Sequence, residues 1–220
     1  MAGRKKDPIA TEETRQKILE TSFALFSHKS IDSVSVGEVA KACGMSEMTV
    51  YRYFSSKPDL VVAVSTWIWT RFLERKQENR PRPGFQNKTA AQEFDYYLDS
   101  FLELYRNQRD LLRFNQFFNV YICAEHIGSE TLSPYRDMIN GLKKRFHIIY
   151  EKAALDHTVR TDVPEHEVFR ATLHLMLAAV TRYAVGLVYS DESEEETMNE
   201  LLMLKKALLR EYTTGLKAEL

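Results

Sequence analysis

Cysteine is nearly missing from this chain. Cys43 and Cys123 are the only two in 220 residues, and they stand 80 positions apart. That excludes a disulfide framework, and no CxxC or His/Cys cluster at metal-ligand spacing offers a zinc site. Each cysteine sits among apolar neighbours, which predicts two buried thiols in a reducing compartment. Long apolar runs are missing as well. The longest uncharged stretches, such as Leu60–Thr70 and Ala171–Thr181, fall short of the ~18–20 residues a membrane span needs. The opening MAGRKKDPIA is basic but has no apolar segment of the kind a secretory signal requires. These absences predict a cytoplasmic protein with no membrane partner. Excess charge is lacking too: the net charge of −1 rules out binding to nucleic acid by bulk charge, so any such site is a local patch. No Gly-rich phosphate loop and no G-x-S-x-G turn occurs, and the expectation is of no enzyme, no catalytic residue, no metal and no cofactor.

Glycine and proline number only 8 and 6, and they cluster. The longest break is RPRPGFQNK, Arg80–Lys88, and shorter ones lie near 29–34, 44–45, 55–58, 126–134 and 157–164. Between the breaks, apolar residues recur at helical spacing. Ile18, Ser22, Leu25 and Phe26 form one stripe; Phe94, Leu98, Phe101, Leu102 and Tyr105 form another. No stretch alternates strictly between apolar and polar residues. The pattern predicts an all-α chain of about nine helices, roughly 11–28, 36–42, 46–54, 57–79, 89–106, 109–125, 133–155, 163–189 and 194–217. Three starts match a capping box: Ser35 with Glu38, Thr89 with Gln92, and Ser193 with Glu196. The first three helices are short and the later ones long. We therefore expect a small N-terminal domain over 1–56 and a helical bundle over 57–220.

Residues 36–54 carry the most specific pattern. Val36, Val39, Ala40 and Cys43 share one side of the second helix, Gly44 can take the left-handed conformation that ends it, and Ser46 can cap the third. On the third helix, Val50 and Phe54 define a narrow dry side. Projected at ~100° per residue, Met48 and Arg52 point most directly away from it. Thr49 and Tyr51 flank them, with Glu47 and Tyr53 at the boundary. This is a helix-turn-helix whose outer side offers hydroxyls, a guanidinium and an apolar tip. Such a mixture suits phosphates and base edges. Basic residues surround it: Arg4, Lys5 and Lys6 in the N-terminal arm, Lys41, and Lys57. Residues 1–57 hold nine Lys and Arg against seven Asp and Glu, whereas the remainder holds 21 against 24.

The stretch VSVGEVAKACGMSEMTVYRYFSSKPDL, preceded by ETRQKILETSFALF, resembles the DNA-binding signature of TetR-family transcriptional repressors. The resemblance covers about the first 60 residues. It implies a homodimer that places two recognition helices in successive major grooves of a near-palindromic double-stranded DNA operator. By position, Thr49, Tyr51 and Tyr53 would contact phosphates or bases, and Ser35 and Lys57 would anchor phosphates at helix N-termini. Glu47, Met48 and Arg52 fall where sequence is read. Two features depart from the pattern. Gly37 stands where many relatives carry a longer polar residue. Glu47 is an acid facing a polyanion, and it would either read a cytosine or serve its own helix N-terminus.

The remaining residues are rich in aromatics. The resemblance implies that a small-molecule effector binds among helices 4 to 8 and releases DNA. Candidate lining residues are Trp67, Phe101, Tyr105, Phe114, Phe118, Tyr121, His147 and His174. Trp67 and Trp69 are two apart on a helix, so only one can face a pocket. For His147 and His174, on largely apolar helices, a core position is the competing reading, as it is for each aromatic. The long apolar stripes of the eighth and ninth helices predict that the homodimer forms through them. A pure protein-contact module is the alternative to DNA binding, and salt dependence separates the two.

Overall fold

In the computed structural model, the structure describes residues 8–78, 88–186 and 193–214. They form α1 (Pro8–His28), α2 (Val36–Cys43), α3 (Glu47–Tyr51), α4 (Lys57–Glu78), α5 (Ala90–Asn107), α6 (Arg109–Ala124), α7 (Ser133–Asp156), α8 (Glu165–Val185) and α9 (Glu194–Tyr212). The chain is all-α, and no strand occurs among the described residues beyond one isolated bridge between Val159 and Thr213.

That bridge ends α9 earlier than the sequence pattern predicts. Thr213 leaves the helix in an extended conformation. Arg160 N–H then donates to the Tyr212 carbonyl, and Thr214 N–H to that of Thr158. The third helix is also shorter than expected: its regular part stops at Tyr51, and residues 52 and 53 continue as a turn. Two of the three expected capping boxes form in full, at Thr89/Gln92 and Ser193/Glu196. At Ser35 only half forms. Its hydroxyl accepts from Glu38 N–H, but the Glu38 carboxylate is taken by Lys29 at 2.6 Å.

The chain divides into two compact units, one of the described residues up to Glu74 with Arg113–Met138, the other of Arg75–Leu112 with the described residues from Ile139 on. In the first, Ile18, Leu19 and Phe26 of α1 pack with Val39, Ala40 and Cys43 of α2 and with Val50 and Phe54, all buried. Fully burying such a side chain is worth about 1.5–3 kcal/mol, so these few contacts suffice to fix the short helices. Phe23 stands edge-on to both Trp67 and Phe114, which seats α1 against α4 and the first half of α6.

The second unit is built on α5, which packs against α8 and α9. Phe94, Leu98, Phe101, Leu102 and Tyr105 are buried along it, facing Val168, Met176, Val180, Leu201 and Leu208. The first N–H groups of α5, which lack helical partners, are satisfied from the end of α7 and the residues after it: Ala90 N–H donates to Asp156 Oδ2 at 2.7 Å and Ala91 N–H to Thr158 Oγ1 at 2.9 Å. Burial pushes the Asp156 carboxyl up, but hydrogen bonds from Thr158 and Ala90 outweigh it and hold the group below its ordinary value. Two lysines reach into the same unit. Lys152 Nζ lies 2.8 Å from the buried Glu93, and Lys205 Nζ lies 2.8 Å from Asp95 and 2.5 Å from Asp99.

One expectation about the thiols needs correction. Cys43 is buried, its Sγ donating to the Lys17 carbonyl at 3.9 Å, but Cys123 is exposed. It stands two residues past the buried Tyr121, about 200° around α6, and so falls on the opposite side of that helix.

Candidate nucleic-acid interface

The site begins at Gly44. Its φ of 68° and ψ of 34° place it in the left-handed region, and Met45 N–H donates back to the Ala40 carbonyl while Gly44 N–H donates to that of Lys41. This is a Schellman closure, which turns the chain sharply enough for α3 to start three residues later. Ser46 caps α3, its hydroxyl accepting from Thr49 N–H at 3.2 Å. Val50 and Phe54 then turn inward, 1% and 5% exposed. The guanidinium of Arg15 lies 5.5 Å from the centre of the Phe54 ring and covers it from α1.

With those two residues fixed, the others face outward as the projection predicts. Met48 is 73% exposed and Tyr51 42%, Glu47 and Arg52 are exposed, and Thr49 and Tyr53 are half-buried. The polar tips are already organised. Arg52 Nη2 donates to Thr49 Oγ1 at 3.3 Å, and Thr49 Oγ1 is hydrogen-bonded to Ser46 Oγ at 2.9 Å. A short line of donors and acceptors therefore runs along the outer side of α3. The sequence reading omitted Ser46 from it, although its place at the cap, three residues before Thr49, would have suggested the contact.

The neighbouring candidates are arranged less uniformly. Ser35 is exposed at the N-terminus of α2. The Glu47 carboxylate lies close to Gly37 in the same turn. Lys57 is half-buried: Nζ donates to the Asp32 carbonyl at 3.4 Å and stands 5.5 Å from the centre of the Tyr121 ring. Burial pushes its amine down, against the pull of Asp32 and Glu125. Burial, with the same two carboxylates, pushes the Tyr121 phenol up to about 12. Arg4, Lys5 and Lys6 lie outside the described residues.

The candidate effector residues do not converge on one place. Phe101, Tyr105, Phe114, Phe118 and Tyr121 are each at most 5% exposed and pack as core. Phe101 is edge-on to Tyr97, Tyr105 meets Tyr183, and Phe114 meets Phe118. His147 and His174 are not core residues, because both lie on the wet sides of their helices. His147 binds Glu165 at 2.8 Å instead. Trp67, among the eight, lines a described cleft of about 730 Å³ within the first unit. Trp69 is buried elsewhere, so the two indoles do part as their spacing requires. The cleft runs between Arg15 and Gln16 of α1, Thr66, Thr70 and Arg71 of α4, and Glu130 and Thr131 before α7. Sequence reasoning missed these residues, since each is an ordinary surface side chain in isolation. The one available signal was the polar stripe of Thr66, Thr70 and Glu74 beside Trp67 on α4.

A three-helix head that holds a short polar helix outward on two buried residues defines a helix-turn-helix DNA-binding protein. Residues 18–64 match the family model of bacterial regulatory proteins, tetR family. The HTH-type transcriptional regulator AcrR of Shigella flexneri is 41% identical over 56 residues, a match that spans 26% of this chain and 26% of the relative. The HTH-type transcriptional regulator YvdT of Bacillus subtilis is 22% identical over 201 residues, 91% of this chain and 98% of the relative. Among solved structures, a transcriptional regulator FadR from Bacillus subtilis in complex with stearoyl-CoA shares the fold with a TM-score of 0.68, over 89% of this chain and 97% of that one, at 14% identity. Residues 18–64 thus carry the domain shared by bacterial regulatory proteins of the tetR family.

Proposed function

We propose that this regulator binds a near-palindromic operator as a homodimer, represses transcription in the cytoplasm, and is released by a small-molecule effector. The outward side of α3 carries the reading: Arg52, Thr49 and Ser46 are linked on an exposed surface, with Tyr51 and Met48 beside them. Phosphates take hydrogen bonds from such hydroxyls and guanidinium groups, and base edges from Arg and carboxylates. Dimerisation through α8 and α9 is supported by large apolar side chains left in water there, Leu175 at 50%, Val185 at 47% and Met203 at 70% exposed. A two-fold dimer would set its recognition helices about 34–36 Å apart, or a multiple of that distance.

For the effector, the cleft beside Trp67 is the described space of suitable size, since drug-sized ligands occupy about 300–1,000 Å³. The FadR structure in complex with stearoyl-CoA supports a small-molecule role for this fold. An effector that binds better to a non-DNA-binding arrangement of the dimer shifts the population away from the operator. The coupling would run along α4, which begins at Lys57 and carries Trp67.

The test is a footprint on DNA flanking the chain's own gene, followed by titration at several salt concentrations. The logarithm of the binding constant should fall by about 0.9 per logarithm of salt for each phosphate neutralised. Arg52→Ala should weaken binding or change sequence preference, and Tyr51→Phe should weaken it. Binding insensitive to salt and to both substitutions would replace this reading with a protein-contact module.

A further inference from the structure

Gly37 is the second residue of α2, and its missing side chain is matched by a neighbour. A Cβ at this position would lie 3.1 Å from Glu47 Oε2 and 3.7 Å from Glu47 Cδ, with Ser35 Oγ also at 3.7 Å. The Glu47 carboxylate therefore rests over the first turn of α2, beside the cap. A helix N-terminus favours an anion there, because its first N–H groups point outward unpaired. Yet Glu47 also begins α3 and is exposed on the side that faces DNA. The same side chain thus has two places to go: back onto α2, or forward into a docked groove.

Forward, a carboxylate meets a polyanion. It is repelled there unless it accepts a hydrogen bond from a base, and cytosine N4 is the donor a carboxylate suits in the major groove. We propose that Gly37 is a specificity-determining position, which acts by giving the Glu47 carboxylate a resting place on α2 from which only a cytosine amine draws it out. With that place open, other bases are tolerated at modest cost, because the carboxylate withdraws. With it crowded, Glu47 rests there less readily and bases other than cytosine are penalised more. The proposal rests on the reading of α3 as the DNA-contacting helix.

Gly37→Ala crowds the resting place, since a Cβ there asks Glu47 Oε2, 3.1 Å away, to give by a few tenths of an ångström. The atom it meets is the far end of a flexible side chain, so Glu47 moves and the fold does not. Alanine is also the better helix former, so the thermal midpoint of Gly37→Ala should be no lower than that of the parent. The experiment selects bound sequences from a randomised duplex library with the full-length parent, Glu47→Ala, Gly37→Ala and the double variant. The parent should enrich cytosine at one position of each half-site, and Glu47→Ala should erase that preference alone. Gly37→Ala should sharpen it by roughly five-fold or more, the lower end of what one base contact discriminates. The double variant should match Glu47→Ala. An unchanged profile for Gly37→Ala, or a change as large without Glu47 as with it, overturns the proposal. So does Glu47→Ala leaving every position as it was. A parent that selects no sequence overturns the reading of α3 as well, which sets that failure apart.

Discussion

Replacing Lys152 by methionine tests how the second unit is held together. Glu93 is buried, its side chain 3% exposed, and Lys152 Nζ approaches it to 2.8 Å while its own side chain is 23% exposed. The same ammonium donates to the Lys88 carbonyl at 2.9 Å. Methionine keeps the aliphatic stem and removes these contacts of the ammonium, taking a cation away from a carboxylate with little water. Breaking a buried pair from one side costs about 3–5 kcal/mol, mostly because the remaining charge is uncompensated. Lys152 is partly wet, so water can follow into its place, and we expect the lower end, about 3 kcal/mol. Glu93→Gln should cost less, about 1–2 kcal/mol, because the amide oxygen still accepts from the ammonium. In the double variant no charge remains, so its loss should fall at least 1 kcal/mol below the sum of the two single losses. Urea denaturation followed by far-ultraviolet circular dichroism measures all four proteins, and both tryptophans, Trp67 and Trp69, lie in the other unit and report whether the two unfold together. A loss under 1 kcal/mol for Lys152→Met, or strict additivity, would show that solvent replaces the lysine and that the pair is not structural.

Two further outcomes follow from local geometry. The His147 imidazole is held above its ordinary value of 6.5 by its hydrogen bond to Glu165 and the charge of that carboxylate. Its contribution to stability is therefore complete below pH 6.5 and disappears as pH rises through the folded value; Glu165→Gln should move the imidazole midpoint down in an NMR titration, and an unmoved midpoint would contradict the pairing. Gly44→Ala should cost about 1–2 kcal/mol of unfolding free energy, since a Cβ there meets nothing within 4 Å but the backbone stays left-handed at φ 68°; no loss on thermal unfolding would mean that the turn readjusts.

The helices were legible because their ends are written locally. Ser35, Ser46, Thr89 and Ser193 each cap the helix they precede, and the apolar stripe of α5 is the row of residues that is buried. What was not legible depends on partners far along the chain. The Ser35 box half-fails because Lys29, nine residues before Glu38, takes its carboxylate. The last helix ends at Tyr212 because Val159 and Arg160, some fifty residues earlier, pair with its exit. No periodicity encodes either contact.

The same division runs through the site. The outer side of α3 could be projected from two anchors, since a short helix has few ways to bury Val50 and Phe54. Lys57 could not: its position at the start of α4 suggests an anion site, yet its ammonium spends its hydrogen bond on Asp32 and lies over Tyr121, both remote in sequence. Aromatic density was a poor guide to the cleft for a related reason. Buried rings pack on one another, edge-on or tilted, so Phe101, Tyr105, Phe114 and Phe118 fill space and do not enclose it. A cleft persists where side chains prefer water to each other, and that is where Trp67 meets Thr66, Thr70 and the two arginines. In a helical protein of this composition, a polar stripe beside one ring marks a cavity better than a cluster of rings.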